Sequence, residues 1–340
     1  MSLDLNAIWF GLIGALFAGY AILDGFDFGV GSLHLFTRTD EERRIMINSI
    51  GPVWDGNEVW LVTGGGALFA AFPMVYATAF SGFYMAMILL LFALIFRAVA
   101  IEFRSKKPSQ SWRQLWDICF SVSSILSGLL IGVALGNIAR GIPLDTQYEY
   151  AGGFFRLLNP YALIIGITTV ALFMMHGAIY LVIKTEGELH DKIREWVNNA
   201  IIFFVICYVT TTMATLLYVP HMTETMKSYP VLFVLPILNM LAIANIPREI
   251  HHRKDWRAFL SSCASILALL TLFGIGMYPY MIYSLPIPEN SLTIYNSASS
   301  PKTLKIMLII ALIGMPMVLT YTIAVYRIFR GKVKLEPTSY

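Results

Sequence analysis

Asp24 and Asp27, in Asp24-Gly25-Phe26-Asp27-Phe28-Gly29-Val30-Gly31, and Asp55 and Glu58, in Trp54-Asp55-Gly56-Asn57-Glu58-Val59-Trp60, stand inside otherwise apolar stretches. Each pair is three positions apart, which puts its carboxyl groups on one helical face. Arg97 and His176 are two further ionisable residues deep in apolar sequence. Such groups cost about 2.5–3.5 kcal/mol each to insert, so a cluster of them marks a functional site by default. Four carboxylates on two neighbouring helices support proton exchange through water, from one face of a membrane toward its middle. The competing reading is structural: carboxylates cap broken helices, Arg97 pairs with one of them, and the glycines let helices touch. Four acids together, with Trp54 and Trp60 beside them, favour the proton route.

His176, in Met174-Met175-His176-Gly177-Ala178, alone among the six histidines lies well inside a span. Heme ligation normally takes a second axial group on a facing helix, and no second deep histidine exists, so a polar contact in the bundle is expected. His34, His190, His221, His251 and His252 fall at helix ends or in loops and read as solvated. Cys119, Cys207 and Cys263 each sit in apolar sequence, giving neither a disulfide framework nor a metal-ligand spacing. No metal site is therefore expected. Trp9, Trp112, Trp196 and Trp256 read as interfacial anchors.

The elements that must position these residues follow from composition. Of 340 residues 57% are hydrophobic and 13% charged, with mean hydropathy +0.67, against about 25% charged in soluble domains. This excludes nucleic-acid binding, a soluble enzyme and a secreted disulfide scaffold. Stretches able to cross a bilayer of about 30 Å lie near residues 8–36, 49–71, 78–101, 117–139, 160–183, 198–219, 230–247, 258–283 and 303–329. The first is too long for a signal-peptide core and lacks a basic flank, so it is expected to stay in the mature protein. The whole of 1–340 thus reads as one integral membrane domain. With the N-terminus outside and the C-terminus cytoplasmic, 19 of the 24 Lys and Arg residues fall on the cytoplasmic side. An eight-span layout inverts every loop after the missing helix and spoils this asymmetry. At about 1.5 Å per residue, Asp24 and Asp27 lie near the cytoplasmic face. Asp55 lies about 9 Å and Glu58 about 14 Å from an entry at Ser49, and Arg97 and His176 return to the cytoplasmic third.

The run Leu23 to Gly31, then Arg43-Arg44-Ile45-Met46-Ile47-Asn48-Ser49-Ile50, Trp54 to Trp60, and Gly64-Gly65-Gly66-Ala67-Leu68-Phe69-Ala70-Ala71-Phe72-Pro73 resembles subunit II of the bacterial cytochrome bd-type quinol oxidases. The resemblance continues through Phe80 to Tyr84, Phe96 to Lys106, Gly132 to Asn137, Thr185 to Leu189, Ser291-Leu292-Thr293 and the terminal Ser339-Tyr340. It covers the full length and is strongest in the first hundred residues.

The resemblance implies an all-α fold of nine transmembrane helices, two four-helix bundles plus one peripheral helix, in a bacterial cytoplasmic membrane. It implies a heme-bearing subunit I as partner, holding hemes b and d, or b only, and the quinol-oxidising loop, where electrons from quinol reduce dioxygen to water. Small single-helix accessory subunits and membrane lipids are further implied partners. This chain would carry no heme, would stabilise subunit I, would supply part of a cytoplasmic proton route, and in some members holds a quinone. Asp27, Asp55 and Trp54 match positions assigned to that route or to the heme environment, and Asp24 lies in the same motif. Asn57 and Arg97 are expected in the heme environment or interface, and Glu58 and His176 on the route. Two departures stand out. The loop from Pro220 to Tyr229 is short, and Glu58 and His176 stand where certain relatives carry Gln. The alternative function is a proton-coupled secondary transporter using the same carboxylates, with Gly64-Gly65-Gly66 as a helix break.

Overall fold

The computed structural model of the protein describes residues 4–335, so Ser339 and Tyr340 of the family match lie outside the described residues. Twelve α-helices follow one another: α1 (Leu5–Leu33), α2 (Asp40–Ile50), α3 (Trp54–Ala71), α4 (Pro73–Gly82), α5 (Tyr84–Phe103), α6 (Gln110–Arg140), α7 (Pro160–Lys184), α8 (Gly187–Tyr218), α9 (Glu224–Ser228), α10 (Val234–His251), α11 (Asp255–Met277) and α12 (Pro301–Ile328). Two short strands, β1 (Tyr280–Ile282) and β2 (Leu292–Thr293), pair antiparallel after α11. Eight helical segments among the described residues are long and apolar enough to cross a membrane. The chain is therefore an all-helical, multi-pass membrane protein.

The second expected span is interrupted, and the sixth, read from residue 198, begins at Gly187. A helix entering at Ser49 is not formed. The amphipathic α2 ends at Ile50, Gly51-Pro52 breaks the chain, and α3 starts only at Trp54. Proline cannot continue a helix because its ring clashes with the preceding turn and it lacks an N–H. Asp55 therefore sits in the first turn of α3, and Glu58, four residues into that helix, is nearer the entry end than 14 Å. Pro73 breaks the chain again and opens α4, so the third long helix starts at Tyr84 instead of residue 78. α3 carries Asp55, Asn57 and Glu58 within its first five residues, and this keeps it out of the eight apolar segments.

α1 is the hub: it packs on α3, α6, α7 and α11, while α6 packs on α5 and α7, α7 on α8, and α10 on α11. The glycines of the Asp24–Gly31 run serve this packing. A Cβ on Gly29 would run into the backbone of Gly177 and Phe173 on α7, so only glycine lets the two helices approach this closely. Two cores result. One surrounds Phe26, Met46, Ile50, Ile179, Ile193 and Ile246 toward the end where most basic residues lie. The other gathers Trp9, Phe72, Ile142, Ile282, Leu292 and Leu304 at the opposite end. Trp9, expected as an interfacial anchor, is instead 3% exposed, and its indole N–H donates to the Leu304 carbonyl over 2.9 Å. α12 stands apart, with Leu304 its one buried residue.

Candidate functional site

Helical spacing divides α1 into two working faces. Asp24 and Phe28, four apart, share one face; Leu23 and Asp27, also four apart, share the next. Arg97 of α5 comes to the first. Its Nη1 donates to Asp24 Oδ1 over 2.7 Å, and its guanidinium carbon lies 4.2 Å from the centre of the Phe28 ring. The same guanidinium reaches Glu58 of α3 through Nη2 over 3.4 Å. Asp24 and Arg97 are fully buried and Glu58 is about one-fifth exposed. Tyr20, one turn before Asp24, brings its buried hydroxyl within electrostatic reach of that carboxylate.

Asn57, adjacent to Glu58 on α3, serves the second face. Its amide donates to Asp27 Oδ2 over 2.8 Å and to the Leu23 carbonyl over 3.2 Å, and its Oδ1 accepts from the Tyr326 hydroxyl of α12 over 2.8 Å. Asp27 is fully buried, its Oδ1 has no hydrogen-bond partner among the described residues, and no salt bridge reaches it there. Two of the three carboxylates, Asp24 and Glu58, thus share one guanidinium, and the third, Asp27, is held only by an amide. A carboxyl without its own counter-ion can take up and release a proton without breaking an ion pair.

Asp55 is not part of this contact network. It lies exposed in the first turn of α3, one turn from Glu58, at the entry end of the cluster. Trp54, half-buried, packs against the core at that end, and Trp60 packs beside Tyr20 and Phe28. His176 is brought elsewhere. Its Nδ1 lies 2.7 Å from the Ser262 hydroxyl and its Nε2 2.9 Å from the Ile22 carbonyl, and the ring stacks on Phe259 at 4.9 Å. A carbonyl only accepts, so Nε2 bears the hydrogen. With both nitrogens engaged by protein, His176 is not arranged as an axial heme ligand, and it joins α1, α7 and α11 as a polar contact. Among the described residues no group of three His, Cys, Asp or Glu side chains could hold a metal ion.

A second cluster escaped the sequence reading. Asp117, in the second turn of α6, accepts from Arg43 Nη1 over 2.9 Å and from Arg104 Nε over 2.5 Å and Nη2 over 3.2 Å; His34 Nε2 lies 2.6 Å away. Asp40 bridges Arg104 and Arg113, each over 2.8 Å. His34 is fully buried, not solvated, because the chain after α1 folds back under α6. Tyr326 and Tyr20 were also missed. Tyr326 lies far along the chain, and no local pattern ties it to Asn57. Tyr20, four residues before Asp24, did carry a signal in its spacing.

These features define a polytopic membrane protein whose buried polar chemistry is concentrated where α1, α3 and α5 meet. The family model of the cytochrome bd terminal oxidase subunit II matches residues 5–329. Over 364 residues, 98% of this chain and 96% of the relative, it is 38% identical to the cytochrome bd-I ubiquinol oxidase subunit 2 of Escherichia coli K12. It is 34% identical to the cytochrome bd ubiquinol oxidase subunit 2 of Bacillus subtilis 168, covering 99% of both chains. The structure of bd oxidase from Geobacillus thermodenitrificans superposes with a TM-score of 0.80 at 15% identity, covering 96% of this chain and 99% of that one, which shows a shared fold. The chain belongs to the cytochrome bd terminal oxidase subunit II family, and so is a subunit of a respiratory oxidoreductase. The transporter reading has no support: the relatives are named as oxidase subunits throughout.

Proposed function

We propose that this chain is the subunit of a quinol:oxygen oxidoreductase that steadies a heme-bearing subunit I and carries protons toward it from the cytoplasm. Its relatives in Escherichia coli and Bacillus subtilis are named as ubiquinol oxidase subunits. Hemes b and d, or b alone, belong in this reading to the partner, and the electron chemistry with them; a quinone, lipids or single-helix accessory subunits can associate. The topology is nine spans in a bacterial cytoplasmic membrane, with α3 as the second. At about 1.5 Å per residue its 18 residues rise about 27 Å, close to the thickness of a bilayer core. The N-terminus is outside and the C-terminus cytoplasmic. α1, α3, α5 and α6 form one four-helix group, α7, α8, α10 and α11 the other, and α12 lies at the periphery.

The observation that carries the proton reading is the unequal pairing of the carboxylates. Exposed Asp55 is the entry, part-exposed Glu58 the next stop, and Asp24, with Arg97, holds the potential that keeps the site hydrated and polar. Asp27 is the group that exchanges the proton, oriented by Asn57, which Tyr326 in turn fixes. Trp54 packs at the entry, and His176 lends polarity on the far side of α1. A test begins with co-purification: a heme-bearing partner and quinol-dependent oxygen uptake should accompany this chain, and a chain that purifies alone and stable sinks the reading. Asp27→Asn should then slow turnover about tenfold, equivalent to about 1.4 kcal/mol, with the heme spectrum unchanged. Unaltered turnover refutes its part in the route.

A further inference from the structure

The end of the molecule opposite most of the basic residues holds a cavity of about 350 Å³ between the α8–α10 connection and the segment that follows α11. Tyr229, Tyr278, Tyr280 and Tyr283 line it, together with His221 and Glu224. Tyr280 and Tyr283 meet at 77° with their centres 5.0 Å apart, two walls nearly at right angles, and His221 stacks on Tyr283 at 4.2 Å. His221 Nε2 donates to the Ala139 carbonyl over 2.8 Å, and burial pushes its pKa below the ordinary histidine value, so the ring is neutral at pH 7. Glu224 is the one acidic side chain among the lining residues, and it is near enough to act on both His221 and Tyr283.

We propose that this cavity binds the ammonium group of a zwitterionic phospholipid headgroup, with Glu224 as counter-charge and the tyrosine rings as its walls. A single carboxylate beside several aromatic rings, without a competing cation in the lining, is the chemistry that recognises an organic ammonium ion. The volume is about ten times the roughly 30 Å³ share of one water molecule and falls in the range of small-molecule sites. Position selects a lipid over a soluble amine. Gly276 of the lining is one residue from the last residue of α11, so the cavity opens at the depth where a span ends. Its rim continues into exposed apolar surface, Tyr229 at 64%, Val231 at 73% and Phe233 at 50%, as at a bilayer surface. Arg140 and Arg156 line a smaller cavity at the same end, beyond the Tyr283–Leu285 segment, and are absent from the lining around Glu224. The proposal depends on neither the proton route nor the orientation of the chain.

The experiment uses the purified oxidase complex in nanodiscs of equal parts phosphatidylethanolamine and phosphatidylglycerol, released for native mass spectrometry. Phosphatidylethanolamine should be retained about tenfold over phosphatidylglycerol, and Glu224→Gln or Tyr280→Leu should remove the preference while Tyr280→Phe keeps it. Tetramethylammonium should displace the retained lipid. Equal retention of the two lipids, or an unchanged preference in Glu224→Gln, overturns the proposal. Protection by free ethanolamine with no lipid retained overturns the lipid source and leaves a soluble amine. The heme spectrum of each variant confirms that the complex is intact, and since Glu224 is exposed, its substitution decides the matter if Tyr280→Leu fails to assemble.

Discussion

The chain buries two clusters of charge, and their stoichiometries are opposite. Around α1, α3 and α5, three carboxylates face one guanidinium, and Asp27 has only an amide. Around α6, the single buried carboxylate of Asp117 faces Arg43, Arg104 and His34, and Arg104 is shared with Asp40. Both clusters are expensive to assemble away from water. A saturated carboxylate has no reason to change its proton content, whereas an unsaturated one does. On the proposed reading, the first cluster exchanges protons and the second holds the ends of α1, α2, α5 and α6 together.

If that distinction is right, the largest effect of any single substitution should fall on stability and come from the second cluster. Asp117→Ala leaves Arg43 and Arg104 without their buried counter-charge, and breaking a buried pair in this way costs about 3–5 kcal/mol. The yield and thermal stability of the complex should fall sharply, with turnover per assembled heme nearly unchanged. A variant that assembles normally but turns over slowly would erase the contrast between the clusters.

Within the first cluster the charge count ranks two further variants. Removing Arg97 by Arg97→Gln leaves Asp24, Asp27 and Glu58 with no cation. Removing Asp24 by Asp24→Asn leaves Arg97 still paired with Glu58 at 3.4 Å. Arg97→Gln should therefore destabilise the complex by more than Asp24→Asn, by about 1–3 kcal/mol, read as the difference between their melting temperatures. Equal effects would show that Glu58 does not hold Arg97, and that the cluster is a simple pair.

The first cluster was legible in the sequence and the second was not, for a physical reason. Asp24, Asp27 and Glu58 break long apolar runs, so hydropathy exposes them, and their spacing fixes which face each shares. Asp117, Arg43 and Arg104 sit at helix ends, where charge is ordinary; that they converge depends on how α2 folds back after Thr37, which no local pattern announces. The same limit explains the shift of the second span. Pro52 lies inside the expected span 49–71, and the helix forms only after it, from Trp54. The spans read from residues 117, 160 and 303 begin within seven residues of the observed helices, because unbroken apolar length alone defines them. The spacing of Asp55 to Glu58 puts it among the buried acids, whereas the structure leaves it exposed. Asp55→Asn should consequently slow turnover only a few-fold, about 1 kcal/mol or less, with an effect that fades as salt is added. A loss as large as that from Asp27→Asn would move Asp55 into the relay itself.

The smallest expected effect comes from the rim of the second cluster, where Glu42 of α2 receives the Lys192 ammonium of α8 at 3.0 Å and the backbone N–H groups of Arg38 and Thr39. Burial pushes the Glu42 carboxyl up, but these donors outweigh it and hold the pKa below the ordinary glutamate value. A carboxyl whose folded pKa is depressed stabilises the fold above its unfolded pKa, and the contribution disappears as the pH falls through the folded value. Since the pair is part-exposed, its worth is about 1 kcal/mol or less. Melting of the wild-type complex should fall slightly from neutral pH into the acid range, and Glu42→Gln should flatten that part of the profile. A larger acid-side loss that survives in Glu42→Gln would show that the Glu42–Lys192 pair is not its source.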